Sequence, residues 1–423
     1  MISVRARTAA LILAATAAAA DAQTTPEEYE APPQISLDRV LPPVMLASGN
    51  YRIRDEVQNR GNWLEFEIDS DFGEYMTLSL PMVAVRVHEI RTLAQAVDQF
   101  RRSNQQLAET LRGQLTVGAD SFVEILTSPL STSSQLVDQV QGNVTQTFEE
   151  LGELTPGKEN PTAQVQSIYF GLEPGDPVLA SYKRNAASEL DLDLYSSNPK
   201  VQEFLDTVAA ARSAGQLSAG IVTINLPTDP EIRIAGGKVE AAVRAAMTHN
   251  TINQLYARNF QRLVSAGIEK DLANAFLSHP VLSPWHKTMI TEQVAFLDGV
   301  ENRGAPLLAA MTARTEVEAL SYVQVAKMLS FYQERLGLLS ELISAGHIVL
   351  AATRDGGILV LLPFDLVYWN RDTEQIFSSL AKFTQDRGFR THAILLSGIF
   401  TDTARRQLAG LGFDLKERFL FKP

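Results

Sequence analysis

The stretch HAILLSGIFTDTARRQLAGLGFDL, residues 392–415, reads as an apolar strand, a tight turn, an amphipathic helix and the start of another strand. A strand that returns through a helix to a second strand is the unit from which parallel sheets are built. Upstream of it, Asp372 and Gln375 form a capping-box pattern ahead of Ile376, Phe377, Leu380 and Phe383, and Gly388 closes that helix. Further upstream, HIVLAAT (347–353) and ILVLLPFDLVYW (358–369) are apolar strands joined by Arg354-Asp355-Gly356-Gly357. Asp-Gly between two such runs signals a hairpin, because the turn needs residues that accept positive φ. Residues 346–423 are therefore expected to form a β-β-α-β-α-β domain with a partly parallel sheet.

In open sheets of this kind a ligand settles beyond the carboxyl ends of the strands, where helix N-termini offer free N–H groups. Ser397 and Gly398 occupy that position and are the first candidate ligand-facing residues. Thr401 is placed to cap the following helix, and Asp402 puts a negative charge in its first turn, which disfavours an anion there. Asp365, an acid within LLPFDLVYW, is the third candidate, either as a buried carboxyl with a raised pKa or as a strand-end residue beside Pro363.

The rest of the chain has a different texture. Leu64, Phe66 and Ile68 alternate with Glu65, Glu67 and Asp69, which predicts short antiparallel strands with one solvated face over about 45–80. After Pro81 the apolar positions Val87, Ile90, Leu93, Val97, Phe100, Leu107 and Leu111 predict one helix of some 30 residues, and a second helix is expected over about 131–151. Residues 152–178, rich in proline and glycine, read as a linker. Asn198-Pro199 then reads as a helix start, and the chain to about residue 345 reads as mainly helical. Within it, residues 237–267 and 306–346 each read as one long amphipathic helix. The fold class expected is mixed α and α/β, divided as a β element plus long helices (44–151), a linker (152–178), a helical domain (179–345) and the α/β domain (346–423).

The chain begins MISVRAR, continues through the small apolar run TAALILAATAAAA and reaches Ala20-Asp21-Ala22 before a polar stretch. That three-part pattern predicts a secretory signal peptide over residues 1–22, with cleavage after Ala22 and Ala20 as the other small cleavage-site residue. A flexible leader is expected over 23–43. The run falls short of the roughly 20 apolar residues that span a bilayer, so no transmembrane span is expected in the mature chain. Localisation is expected to be periplasmic or secreted.

Composition removes several chemistries. With no cysteine there is no disulfide, thiolate nucleophile, zinc-thiolate site or lipoprotein anchor. A net charge of −12 disfavours nucleic acid and anionic lipid as partners. His88-Glu89 opens like a zinc helix, but Thr92 stands where the second histidine belongs. Gly237-Lys238 lacks the P-loop's first glycine, with Ile232 in its place, and has Val239 where Ser or Thr belongs. Leu395 and Ile399 flank Ser397 where a nucleophile elbow needs glycines. Asp191 and Asp193 start a calcium-loop spacing that Leu192, Leu194 and Tyr195 do not continue. His279 and His286 flank PVLSPW, which reads better as a helix connection with Ser283-Pro284 as a helix start than as a metal site. Neither a metal nor a cofactor is expected.

These features point to an exported, non-catalytic envelope protein, a binding or assembly scaffold with a protein or small-molecule partner. The alternative is an exported hydrolase using Asp365 with Ser397 or a histidine.

Overall fold

The structure, a computed structural model, describes residues 29–116, 122–123, 172–217 and 237–420. The expected signal peptide, the helix over 131–151 and all but the end of the linker lie outside the described residues. Residues 29–43, expected as the close of a flexible leader, are docked together with residues 44–46. They form two single-turn helices, α1 (Leu37–Val40) and α2 (Pro43–Leu46), and bury Ile35, Leu37, Leu41 and Met45. Those apolar side chains, spaced along a polar stretch, are what hold it down.

Strands β1 (Tyr51–Ile53), β2 (Gln58–Arg60) and β4 (Gly73–Leu78) all pair antiparallel with β3 (Trp63–Ser70), with Phe66 opposite Thr77 and Ile68 opposite Tyr75. A two-residue strand β5 (Phe122–Val123) adds parallel to β4. The polar face is less solvated than alternation implies, since Glu65 is buried and held by Arg60 at 3.2 Å.

Helix α3 (Leu80–Ser103) starts where the Ser79 hydroxyl accepts the Met82 N–H, and the single 30-residue helix expected there proves to be two. At Asn104 the backbone leaves helical geometry, and its side-chain oxygen accepts the Leu107 N–H at 3.1 Å, starting α4 (Gln105–Thr116). Asparagine competes with a helix in this way because its own amide can serve as the cap. Helices α5 (Pro177–Leu190) and α6 (Pro199–Ser213) follow, α6 capped by Asn198 as expected. Leu64, Phe66, Val87, Leu93, Phe100, Leu111, Phe204 and Val208 belong to one apolar core, so β3, α3, α4 and α6 pack as a unit.

The run over 237–267 is likewise two helices, α7 (Gly237–His249) and α8 (Ile252–Ser265), because the Gln254 side chain accepts the Thr251 N–H at 2.8 Å and restarts the chain. Helices α9 (Lys270–Ser278) and α10 (Pro284–Phe296) are joined through His279 and the Ser283 cap. The 40-residue helix read over 306–346 resolves into α11 (Ala305–Ala310), α12 (Glu316–Arg335, capped by Thr315) and a strand, β6 (Leu339–Ala345). The misreading has a geometric cause. A β-bulge between Leu339 and Glu341 inserts one residue, so Leu339 and Leu342 both reach the core at a spacing of three. Without the bulge they would point to opposite faces.

The C-terminal region continues with β7 (Ile348–Thr353), β8 (Gly357–Leu362), β9 (Leu366–Val367), α13 (Arg371–Asp386), β10 (Thr391–Leu396), β11 (Ile399–Phe400), α14 (Asp402–Gly410) and β12 (Asp414–Lys416). Sheet order is β12-β10-β8-β7-β6, parallel from β12 to β8 and antiparallel from β8 to β6, while β9 and β11 pair parallel beside it. The expected hairpin turn is present, with Gly356 at φ +90°. The cap of α13 is Asn370, which accepts the Thr373 N–H at 2.8 Å, two residues before the Asp372 cap expected.

One face of this sheet (Leu350, Val360, Leu362, Ile394, Leu396) packs on α13 and α14 through Phe377, Leu380 and Leu408. Its other face (Val349, Ala351, Leu359, Leu361, Leu395) shares a core with α10 and α12. Burial on both faces explains why β7 and β8 are apolar throughout. The fold is mixed α and α/β. Among the described residues no helix is long and apolar enough to cross a membrane.

Candidate functional site

Two of the three sequence candidates, Asp365 and Gly398, meet at one crossing of the chain. Asp365 is 0 % exposed. Its Oδ2 accepts the Leu64 N–H and its Oδ1 the Leu80 N–H, each at 3.0 Å. One carboxylate thus bridges β3 and the first residue of α3, across 301 and 285 positions of chain. Burial pushes this carboxyl up to about 7, and the two amides pull in the opposite direction by favouring the anion. The Asp365 backbone is committed as well, its N–H donating to Asn62 O at 3.1 Å and its carbonyl accepting the Ile399 N–H at 3.0 Å.

Gly398 lies against that carbonyl so closely that a Cβ would overlap the Asp365 backbone. Its N–H donates to Phe364 O, and its own carbonyl accepts the Arg418 N–H. Ser397 is buried with its hydroxyl 4.0 Å from the Met328 sulfur, and its N–H goes to Leu362 O. Asp365 and Gly398 are brought into contact, while the Ser397 hydroxyl faces α12 instead.

Beyond the turn, the Thr401 hydroxyl accepts the Ala404 N–H at 3.2 Å and donates to Glu30 Oε2 at 2.6 Å. The same Glu30 oxygen accepts the Trp369 N–H at 2.7 Å, and Glu30 N–H donates to Trp369 O. The carboxylate at the strand-to-helix turn is therefore the chain's own, delivered by the docked N-terminal segment. Asp402 pairs outward with Arg405 at 2.7 Å. No protein-family model, curated protein or solved structure matches this chain.

Sequence reading passed over a denser polar cluster built on the failed zinc pattern. Glu89 Oε2 accepts from Arg86 Nη1 at 2.8 Å and Asn198 Nδ2 at 2.9 Å, and its Oε1 accepts the Ser196 hydroxyl at 2.5 Å. Arg86 Nη2 donates to the Ser197 hydroxyl, which in turn donates to Glu316 Oε2 at 2.6 Å. Arg86, Glu89, Ser196 and Asn198 are all buried. Beside them Asp193 is pushed up to about 7 by burial, with Glu316 and Glu89 adding to the rise. The cluster bolts α3 to the segment before α6 and to the start of α12. The signal was Arg86 and Glu89, charged residues three apart on the apolar stripe of α3.

An ion pair of this kind is costly to halve. Glu89→Ala is expected to destabilise the protein by ~3–5 kcal/mol, because the buried Arg86 charge loses its nearest carboxylate. Urea unfolding measures it, and a loss under ~1 kcal/mol would show that the pair adds little.

The helical core holds further polar groups. Ser321, Gln324, Lys327 and Ser330, buried on α12 at intervals of three, face partners that include Glu240 and Gln293. Thr312, Tyr322 and His347 form a triangle, with the Thr312 hydroxyl 2.7 Å from both Tyr322 Oη and His347 Nδ1. His286 Nδ1 accepts the Ser283 N–H at 3.1 Å, so this imidazole serves as a helix cap. No group of three or more His, Asp or Glu among the described residues is arranged to hold a metal ion.

Proposed function

We infer that this protein is an exported binding or assembly scaffold of the bacterial cell envelope, with a protein or small-molecule partner and no reaction of its own. The observation that carries this reading is the Asp365 carboxylate, whose two oxygens are spent on backbone N–H groups from β3 and α3. An acid used so is a clasp, holding the N-terminal sheet and the C-terminal sheet at a fixed relation. Glu30 at the Thr401 turn and the Arg86–Glu89 cluster have the same character: polar groups that join distant parts of the chain. A scaffold needs such joints, since a surface that presents a partner must not flex. Export rests on the N-terminal pattern with Ala20 and Ala22 at its end.

Tagged protein purified from its native envelope tests this. Expected are recovery from the periplasmic or secreted fraction, a chain starting after Ala22 and a partner retained through washing. Recovery from the cytoplasm with residues 1–22 intact would overturn the export. Ser397→Ala separates the scaffold from a hydrolase. The substitution removes one buried hydroxyl whose hydrogen-bond partner among the described residues is the Met328 thioether at 4.0 Å, so stability should change by under ~1 kcal/mol. Hydrolysis of an ester or glycoside panel that the wild type performs and this variant loses would sink the scaffold reading.

A further inference from the structure

Three lysines among the described residues are buried, and they are not alike. Lys183, 2 % exposed, reaches Asp206 at 2.7 Å and the Leu172 carbonyl at 2.8 Å. Lys327, 6 % exposed, has Glu240 at 3.4 Å. Lys287 is 8 % exposed, and its amine makes no ion pair or hydrogen bond with any of the described residues. A buried ammonium without a counter-ion is costly, and the usual escape is loss of the proton.

Everything around Lys287 acts in that direction. It is the fourth residue of α10, where the helix presents its positive end. Its close titratable neighbours are imidazoles. His286 precedes it, and His279 at the end of α9 is near enough for the lysine charge to act on it. Burial and that charge hold both histidines well below the usual range, so both are neutral at pH 7. His279 Nδ1 is buried and has no hydrogen-bond partner among the described residues. The carboxylates on packed elements are committed elsewhere. Glu292, five positions along and so on another side of α10, pairs with Arg258 at 2.7 Å and Arg262 at 3.4 Å, and Glu240 of α7 pairs with Lys327. The Lys287 amine is also not among the polar atoms that are both sealed from solvent and unpartnered.

We propose that Lys287 is a nucleophilic amine site that takes small aldehydes or ketones as an imine. The amine nitrogen adds to the carbonyl carbon, the carbon–oxygen bond breaks, and the oxygen leaves as water with both amine protons. No oxidant or reductant is needed. Burial lowers the lysine to about 7, so about half of it is the free amine at neutral pH, against roughly one in three thousand for an ordinary lysine. The site is independent of the scaffold reading, since a covalent ligand can be held without turnover.

The test is reductive trapping on the full-length protein with acetaldehyde and cyanoborohydride at pH 7, mapped by mass spectrometry. Lys287 should be alkylated at least about tenfold faster than exposed Lys382 and ion-paired Lys183 and Lys327, the free-amine fraction setting the order. Its rate should rise with a midpoint near pH 7 and then level. Lys287→Met, which keeps the apolar stem, should lose that fast labelling while unfolding at an unchanged or higher temperature. Labelling of Lys287 no faster than Lys382, or a rate still climbing at pH 10, would overturn the site.

Discussion

Gly398→Ala is expected to cost more than ~4 kcal/mol, well above the 1–3 kcal/mol usual for overpacking a core. Such a loss takes a large share of the roughly 5–15 kcal/mol by which a typical domain is stable. The glycine does not need a left-handed backbone, unlike Gly356 with its φ of +90°. It is needed because the space where a Cβ would lie is filled by the Asp365 backbone. That backbone cannot withdraw, since its N–H is bonded to Asn62, its carbonyl to Ile399 and its side chain to Leu64 and Leu80. Little folded protein should be recovered from expression of the variant. A Gly398→Ala protein melting within a few degrees of wild type would show that the crossing can open.

Asp365→Ala is expected to destabilise by ~2–6 kcal/mol, because two buried N–H groups lose their acceptor at about 1–3 kcal/mol each. Asp365→Asn should fall between that variant and wild type. Its one oxygen satisfies one amide, and its NH2 group confronts the other. The pH dependence has a definite sign. The folded carboxyl is raised from 3.8 to about 7, so between those values the folded state holds a proton that the unfolded state has released. The stabilising contribution of this titration is fully present below about pH 4 and is lost as pH rises through about 7. The stability advantage of wild type over Asp365→Asn, measured by urea unfolding, should therefore shrink from pH 4 to pH 7. An advantage that grows over that range would show that the two amides outweigh desolvation and hold the carboxyl low.

Local signals were legible where a single residue's own chemistry made the structure. Asn198-Pro199, Ser283-Pro284 and the Asp355-Gly356 turn each stand where they were expected, because a cap or a positive φ is decided within four residues. Long helices were overextended for a related reason. Asn104 and the pair Asn250-Thr251 sit inside continuous apolar stripes, and a stripe does not reveal whether an asparagine leaves the helix. At Leu339 and Leu342 a bulge gave a strand the spacing of a helix, and periodicity alone has no means of separating the two.

The candidate residues show the same division. Asp365 was conspicuous as an acid in an apolar run, but its role was set by Leu64 and Leu80, some three hundred positions away. Ser397, Gly398 and Thr401 were placed correctly at the strand-to-helix turn. What stands at that turn, the carboxylate of Glu30, comes from a segment whose sequence reads as a leader. Glu89 and Lys287 were passed over because their importance lies in burial, and burial is a property of the packed whole.

The sequence by itself determined the mixed α and α/β class, the partly parallel C-terminal sheet, the apolar strands and several helix starts. These follow from periodicity and capping, which act over a few residues. Only the tertiary structure decided that Asp365 is a clasp, that Gly398 is required for space, that Arg86 and Glu89 share a buried network and that Lys287, among the described residues, has no counter-ion of the kind given to Lys183 and Lys327. Desolvation and long-range hydrogen bonding make those distinctions, and neither exists until distant segments of the chain have met.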